Sequence, residues 1–196
     1  MKKYEFTGEV KVAYGRTLRK IKAVISFGYV KAGESGGWIE NEENLSHDGN
    51  AWVCDNAEVC GNAKVCGDAE VCGNAEVWGN AKVCGNAKVW GNAKVCGNAK
   101  VCGDAEVCGN AEVCGDAEVC GNAHYLVIGT MGSRNDFTTF FRSKNLEICV
   151  TCGCFRGNID EFAKKVKQTH GDNLYAKQYM AAIELAKVCI NLTPKN

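Results

Sequence analysis

The segment Gly129-Thr130-Met131-Gly132-Ser133-Arg134-Asn135-Asp136, followed by Thr138 and Thr139, carries the most varied polar chemistry in the sequence. Its glycines let backbone amides approach an anion, and the Arg134 guanidinium can fork onto a phosphate or carboxylate. It is not a P-loop, because the Gly-Lys-Ser/Thr ending is missing. Together with His170, the residues Gly132, Ser133, Arg134, Asn135, Thr138 and Thr139 make up the candidate ligand-binding site. For the loop by itself the plainer reading is preferred: a strand connection in which Arg134 pairs with Asp136 or Asp160.

Cysteine is the second reactive type, with 14 in the chain. Ten of them, Cys54, Cys60, Cys66, Cys72, Cys84, Cys96, Cys102, Cys108, Cys114 and Cys120, fall on a strict six-residue grid whose two remaining points are Trp78 and Trp90. A slot that accepts either thiol or indole reads as surface filling, since indole replaces neither a disulfide partner nor a metal ligand. The expectation is therefore structural, free thiols in a reducing cytoplasm. Off the grid, Cys149, Cys152 and Cys154 with His170 can be written as a zinc site. If 146–152 is a strand, however, Cys149 and Cys152 point to opposite faces. Neither a metal nor another cofactor is expected.

Histidine is scarce. His47, His124 and His170 are the whole complement, and none lies inside the regular repeats. Acyl transfer would need a general-base histidine facing a cleft, so an acyltransferase ranks behind binding functions.

These groups must be positioned by a repeat. From Val53 to Ala123 the chain repeats a hexapeptide close to Val-Cys-Gly-Asn-Ala-(Lys/Glu), with valine every six residues from Val53 to Val119. So much Gly and Asn excludes a helix. Each unit instead reads as a short strand, (Lys/Glu)-Val-Cys, with valine on one side, and a Gly-Asn corner that accommodates left-handed backbone angles. One such strand buries nothing alone, so the coils must stack into a parallel β-helix. Stacking every eighteenth residue gives charge columns Glu58, Glu76, Lys94, Glu112 and Glu70, Lys88, Glu106, in which opposite charges meet. The third column, Lys64, Lys82, Lys100, Glu118, stacks three lysines, read as a solvated face in preference to an anion-attracting stripe. Ile39 and Leu45 extend the spacing upstream, and the eight residues from Leu45 to Val53 place a small bulge at His47-Asp48.

Units such as Val65-Cys66-Gly67-Asp68-Ala69-Glu70 resemble the hexapeptide-repeat family, the left-handed β-helices of the trimeric acyltransferase type. The resemblance implies three hexapeptides per coil and the left-handed sense. The departure is Cys or Trp directly after the aliphatic residue. Over nearly the whole length the chain also resembles a group of phage and prophage proteins of Firmicutes. The matching residues are Gly36-Gly37-Trp38-Ile39-Glu40, Glu43-Asn44-Leu45-Ser46, the Gly-Asn-Ala repeats, Gly132-Ser133-Arg134-Asn135, Gly153-Cys154-Phe155, Asp160-Glu161-Phe162 and Thr169-His170-Gly171-Asp172-Asn173. That resemblance implies a mobile-element context and no particular chemistry, and its repeats more often carry Tyr or Ser where this chain has Cys.

The expected architecture is mainly β. It is a single-stranded left-handed parallel β-helix at 34–123 with three repeats per coil, an N-terminal β cap at 1–33 and a C-terminal α+β domain at 124–196. In the cap, Tyr4-Glu5-Phe6-Thr7 and Ile21 to Ile25 alternate as strands around the basic stretch Arg16 to Lys22. In the C-terminal part three strands precede a helix capped by Asn158 and Glu161, then a second helix with Tyr175, Tyr179, Ile183, Ala186 and Ile190 at helical spacing. Lys+Arg and Asp+Glu balance at 23 each, which argues against a general nucleic-acid binder. No window approaches the roughly 18 apolar residues of a membrane span, and Met1-Lys2-Lys3 opens no signal-peptide pattern, so the expected compartment is the cytoplasm. The expectation is a non-enzymatic binding protein for a partner protein or a small anionic ligand, with homo-oligomerisation left open.

Overall fold

The computed structural model describes residues 1–194. Its centre is a parallel β-solenoid of about five turns, built from β3 (Ser35–Ile39) and twelve two-residue strands, one per repeat, from β4 (Trp52–Val53) and β5 (Glu58–Val59) to β15 (Glu118–Val119). Three repeats make a coil, as expected. Val53, Val71, Val89 and Val107 stack in register on one face, Val59, Val77, Val95 and Val113 on the second, and Val65, Val83, Val101 and Val119 on the third. These valines and the alanines of the repeats fill the interior and are at most 2% exposed. No repeat could bury its valine alone, so the core exists only through stacking.

The corners explain the rest of the hexapeptide. Each corner glycine lies directly under the next, so that a β-carbon on Gly67 would come within 3.0 Å of the Gly85 nitrogen, and its φ of 72° is left-handed. Asn does not share that conformation. Its side chain instead forms amide ladders along the rod, Asn62 to Asn80 to Asn98 to Asp116 and Asn56 to Asn74 to Asn92 to Asn110, at 3.0–3.4 Å. The left-handed angle expected of both residues therefore belongs to Gly, and at one corner to Asp55 (φ 55°). The charge columns form as expected, with Lys88–Glu70, Lys94–Glu76 and Lys100–Glu118 at 3.7, 3.8 and 3.7 Å. Leu45 bridges Val65, twenty residues on, where the regular offset is eighteen, so the bulge at His47-Asp48 is present.

The expectation of free thiols holds for Cys60, Cys66, Cys84 and Cys108 and is corrected for the other six grid cysteines. Cys54–Cys72, Cys96–Cys114 and Cys102–Cys120 are disulfides, each linking consecutive coils with Cα atoms 4.8, 4.6 and 4.4 Å apart. Stacking every eighteenth residue places these cysteines over one another; the expectation failed because it extended the interchange of Cys with Trp at two grid points to all of them. Once stacked, the two thiols sit at disulfide range.

At the N-terminal end, β1 (Tyr4–Ala13) and β2 (Arg16–Ala23) form an antiparallel hairpin on the edge of β3, with Tyr14 and Gly15 at positive φ in the turn. The basic stretch Arg16 to Lys22 lies within β2. The hairpin tip folds over one face of the rod: Tyr14 stacks on Trp78 at 6.5 Å and Lys11 pairs with Glu58 at 2.7 Å. Lys3 is buried, its Nζ donating to the carbonyls of Ala51 (2.7 Å) and Gly49 (3.3 Å), which closes the open end of the first coil.

At the other end, β16 (Tyr125–Met131), β17 (Asp136–Arg142), β18 (Ile148–Cys152) and β19 (Phe155–Asn158) form an antiparallel sheet, one strand more than expected. Phe141 on one face joins the solenoid core, whereas Phe140 on the other packs beneath α1 (Ile159–His170) and α2 (Leu174–Cys189). The Asn158–Glu161 capping box starts α1 as expected. In α2, Tyr179, Ile183 and Ala186 face inward but Tyr175 does not. Among the described residues, no helix is long and apolar enough to cross a membrane.

Candidate functional site

The hairpin between β16 and β17 holds the polar loop against the helices. The Asn135 N–H donates to the Gly132 carbonyl at 3.2 Å, and Asn135 takes a left-handed φ of 50° that its short side chain tolerates. The Gly132 N–H donates to Gln178 Oε1 of α2 at 2.9 Å. A β-carbon on Gly132 would run into the Tyr179 hydroxyl, so glycine here permits close approach of hairpin and helix.

This approach brings Ser133, Arg134 and His170 together around a cavity of about 170 Å³, with Lys165, Thr169 and Tyr179 also on its wall. Arg134 is exposed and, among the described residues, makes neither an ion pair nor a hydrogen bond, so the pairing with Asp136 or Asp160 does not occur. Its guanidinium runs over Gly153, where a β-carbon would stand 2.7 Å from Nη1. His170 closes α1 and stacks on Tyr179 at 5.7 Å, with Tyr175 edge-on at 5.9 Å. Burial, with the Cys152 thiol alongside, pushes the Tyr179 hydroxyl up to about 12, so it keeps its proton at neutral pH. The wall combines two cationic side chains, an imidazole and hydroxyl donors with the apolar Phe162 and Val166 and the thiols of Cys152 and Cys154, and its polar members are a set suited to an oxyanion.

The other candidate residues lie elsewhere. Gly132 and Asn135 shape the turn. Thr138 is fully buried on the helix-facing side and donates to Cys152 Sγ at 3.3 Å. Thr139 points the opposite way and accepts the Glu112 N–H at 2.9 Å, capping the last coil. Lys165 and Thr169 were missed by sequence reasoning, although the capping box fixes the start of α1 and the two sit four residues apart on one helix face.

Cys149 packs toward the solenoid core and Cys152 toward the helices, so the two point apart as expected. The groupings close enough to hold a metal among the described residues are Cys54–Asp55–Cys72 and Cys96–Glu112–Cys114, both built on disulfide-bonded cysteines. His47 stacks on Tyr4 at 4.3 Å and accepts the Lys3 N–H, and His124 accepts the Cys120 N–H at 3.0 Å. Both histidines are engaged in closing the ends of the rod. A scan against family models gave no match for the chain, and a search of curated proteins gave none either.

Proposed function

We propose that the chain is a non-enzymatic binding protein of the phage and prophage type that its sequence resembles, taking its partner through an anionic group seated beside Arg134. The observation that carries this reading is an exposed guanidinium without a partner among the described residues, placed with Lys165 and His170 on one cavity wall. An oxyanion there would accept charge-assisted, fork-shaped hydrogen bonds. The rod is a poorer candidate for specific recognition, because near-identical repeats offer the same side chains in every coil.

The cavity volume bears on the class of ligand. About 170 Å³ lies below the roughly 300–1,000 Å³ of pockets that enclose a drug-sized molecule. It has room for a phosphate or carboxylate and leaves the remainder of the ligand outside. That favours an anionic group borne by a larger partner, with sequestration of a small nucleotide-like anion as the second reading. In a phage setting either serves counter-defence. The test is recovery of the protein from a bacterial host followed by native mass spectrometry. A phosphate- or carboxylate-bearing species retained by the wild type and lost in Arg134→Ala supports the proposal, and identical spectra from the two contradict it.

A further inference from the structure

The third face of the solenoid carries two columns found on neither of the others. Its outward cysteines, Cys66, Cys84, Cys102 and Cys120, follow one another coil by coil without interruption. The tryptophans fall in the other columns: Trp90 interrupts Cys54, Cys72 and Cys108, and Trp78 interrupts Cys60, Cys96 and Cys114. The interchange of Cys with Trp, the mark of a space-filling slot, therefore does not extend to this face. Beside the thiols, two residues earlier in each repeat and also pointing outward, Lys64, Lys82 and Lys100 stand directly opposite one another across the parallel ladder. Like charges in such register are unfavourable. Among the described residues, Glu118 beside Lys100 is the one acidic partner of the column.

We propose that this thiol column is a binding site for soft, two-coordinate cations of the Cu(I) class, held as linear bis-thiolate bridges between successive coils, with the lysines as counter-charges. A bridge between consecutive rungs requires the two cysteines to adopt matching rotamers, which sets their sulfurs as far apart as their Cα atoms. That spacing is 4.4 Å at Cys102–Cys120 and 4.6 and 4.8 Å at the other bonded pairs. Two metal–thiolate bonds in line, each about 2.3 Å on the zinc–thiolate scale, span about 4.6 Å. A straight column cannot wrap four sulfurs tetrahedrally around one ion, which disfavours Zn(II), whereas thiolate-only donor sets suit Cu(I). A monovalent cation with two thiolates carries one net negative charge per bridge. The stacked lysines, unfavourable beside neutral thiols, become favourable beside such bridges.

The column holds two pairs in different states. The Cys66 and Cys84 thiols are free, whereas Cys102 and Cys120 are joined. Loading the first pair releases two protons as one ion binds and needs no reductant. Loading the second requires cleavage of the S–S bond by two electrons and two protons from a dithiol, which leaves as its own disulfide. Two further protons are then lost to the second ion. The full chain in its oxidised form thus takes one ion in this column, and the reduced form takes two.

The test is anaerobic titration of the oxidised full chain with Cu(I) against a colorimetric Cu(I) chelator. The expected result is one tightly held ion with two sulfur ligands by X-ray absorption, lost in Cys66→Ser/Cys84→Ser and bound at least tenfold more weakly in Lys64→Gln/Lys82→Gln. Equal retention by wild type and the serine variant, or three or more sulfurs around the ion, overturns the proposal. Should the serine variant fail to fold by circular dichroism, the lysine variant decides, because it keeps every thiol: unchanged affinity there also overturns the proposal.

Discussion

Arg134 lies across Gly153, its Nη1 standing 2.7 Å from where a β-carbon on that glycine would be. Gly153 has a φ of 58°, a conformation that costs an L-residue about 1–2 kcal/mol. Gly153→Ala should therefore lower stability by that amount and also push the guanidinium off the cavity wall. Thermal melting measures the first effect and affinity for an anionic probe the second. An alanine variant that melts lower yet binds the probe as well as wild type would dissociate the Arg134 position from the site.

Val89 sits in the middle of its column, between Val71 and Val107, and is completely buried. Val89→Asp places a carboxyl group among alanines and valines with no partner, at a cost of roughly 2–7 kcal/mol even when protonated. Circular dichroism should show a chain that is unfolded or melts far below the wild type. A cooperative transition near the wild-type temperature would contradict the stacked core.

Each disulfide closes a segment with a sequence separation of 18, worth about 3 kcal/mol on the chain-entropy scale. Reduction should accordingly lower the melting temperature. Cys54→Ser/Cys72→Ser should melt below the wild type under oxidising conditions and close to it when both are reduced. A wild-type melting temperature indifferent to reductant would mean that these crosslinks do not contribute.

Lys3 ties pH to stability. Burial lowers its pKa from 10.5 to about 8, only partly opposed by Asp48 and Asp68. Below about pH 8 both folded and unfolded chains hold the proton, and the cost of a buried charge is fully present. Above it the folded chain sheds a proton that the unfolded chain keeps until its own, higher pKa, so stability rises with pH. The melting temperature of the wild type relative to Lys3→Met should climb between about pH 8 and about pH 10.5. A flat difference would show that Lys3 keeps an ordinary pKa.

The solenoid was legible because valine recurs at a fixed spacing and glycine marks each corner, two signals that depend only on local geometry. The disulfides were legible in the same stacking, but Trp78 and Trp90 share the cysteine grid and argued against them. Cys54 and Cys72 are neighbours once three repeats close a coil, and the tryptophan of that column stands at the next rung, Trp90, leaving the pair intact. Tyr175 shares the helical spacing of Tyr179 but faces outward, since spacing alone does not say where the apolar stripe ends. Of the candidate site, Ser133, Arg134 and His170 were recognisable as varied polar chemistry. Thr138 and Thr139 looked equivalent until strand alternation sent one toward the helices and the other to the last coil. Lys165 and Thr169 join the site through the docking of α1, which no local pattern encodes.

The account rests on Arg134 as an anion anchor, and calorimetric titration of wild type and Arg134→Ala with inorganic phosphate and a nucleoside monophosphate, paired with melting curves of the same preparations, tests it most directly. The expected result is wild-type binding of at least one probe that weakens by about 1–3 kcal/mol in the variant while the melting temperature stays put, as for a lost charge-assisted hydrogen bond. A variant that melts lower but binds as the wild type does, or a wild type that binds neither probe, would contradict it.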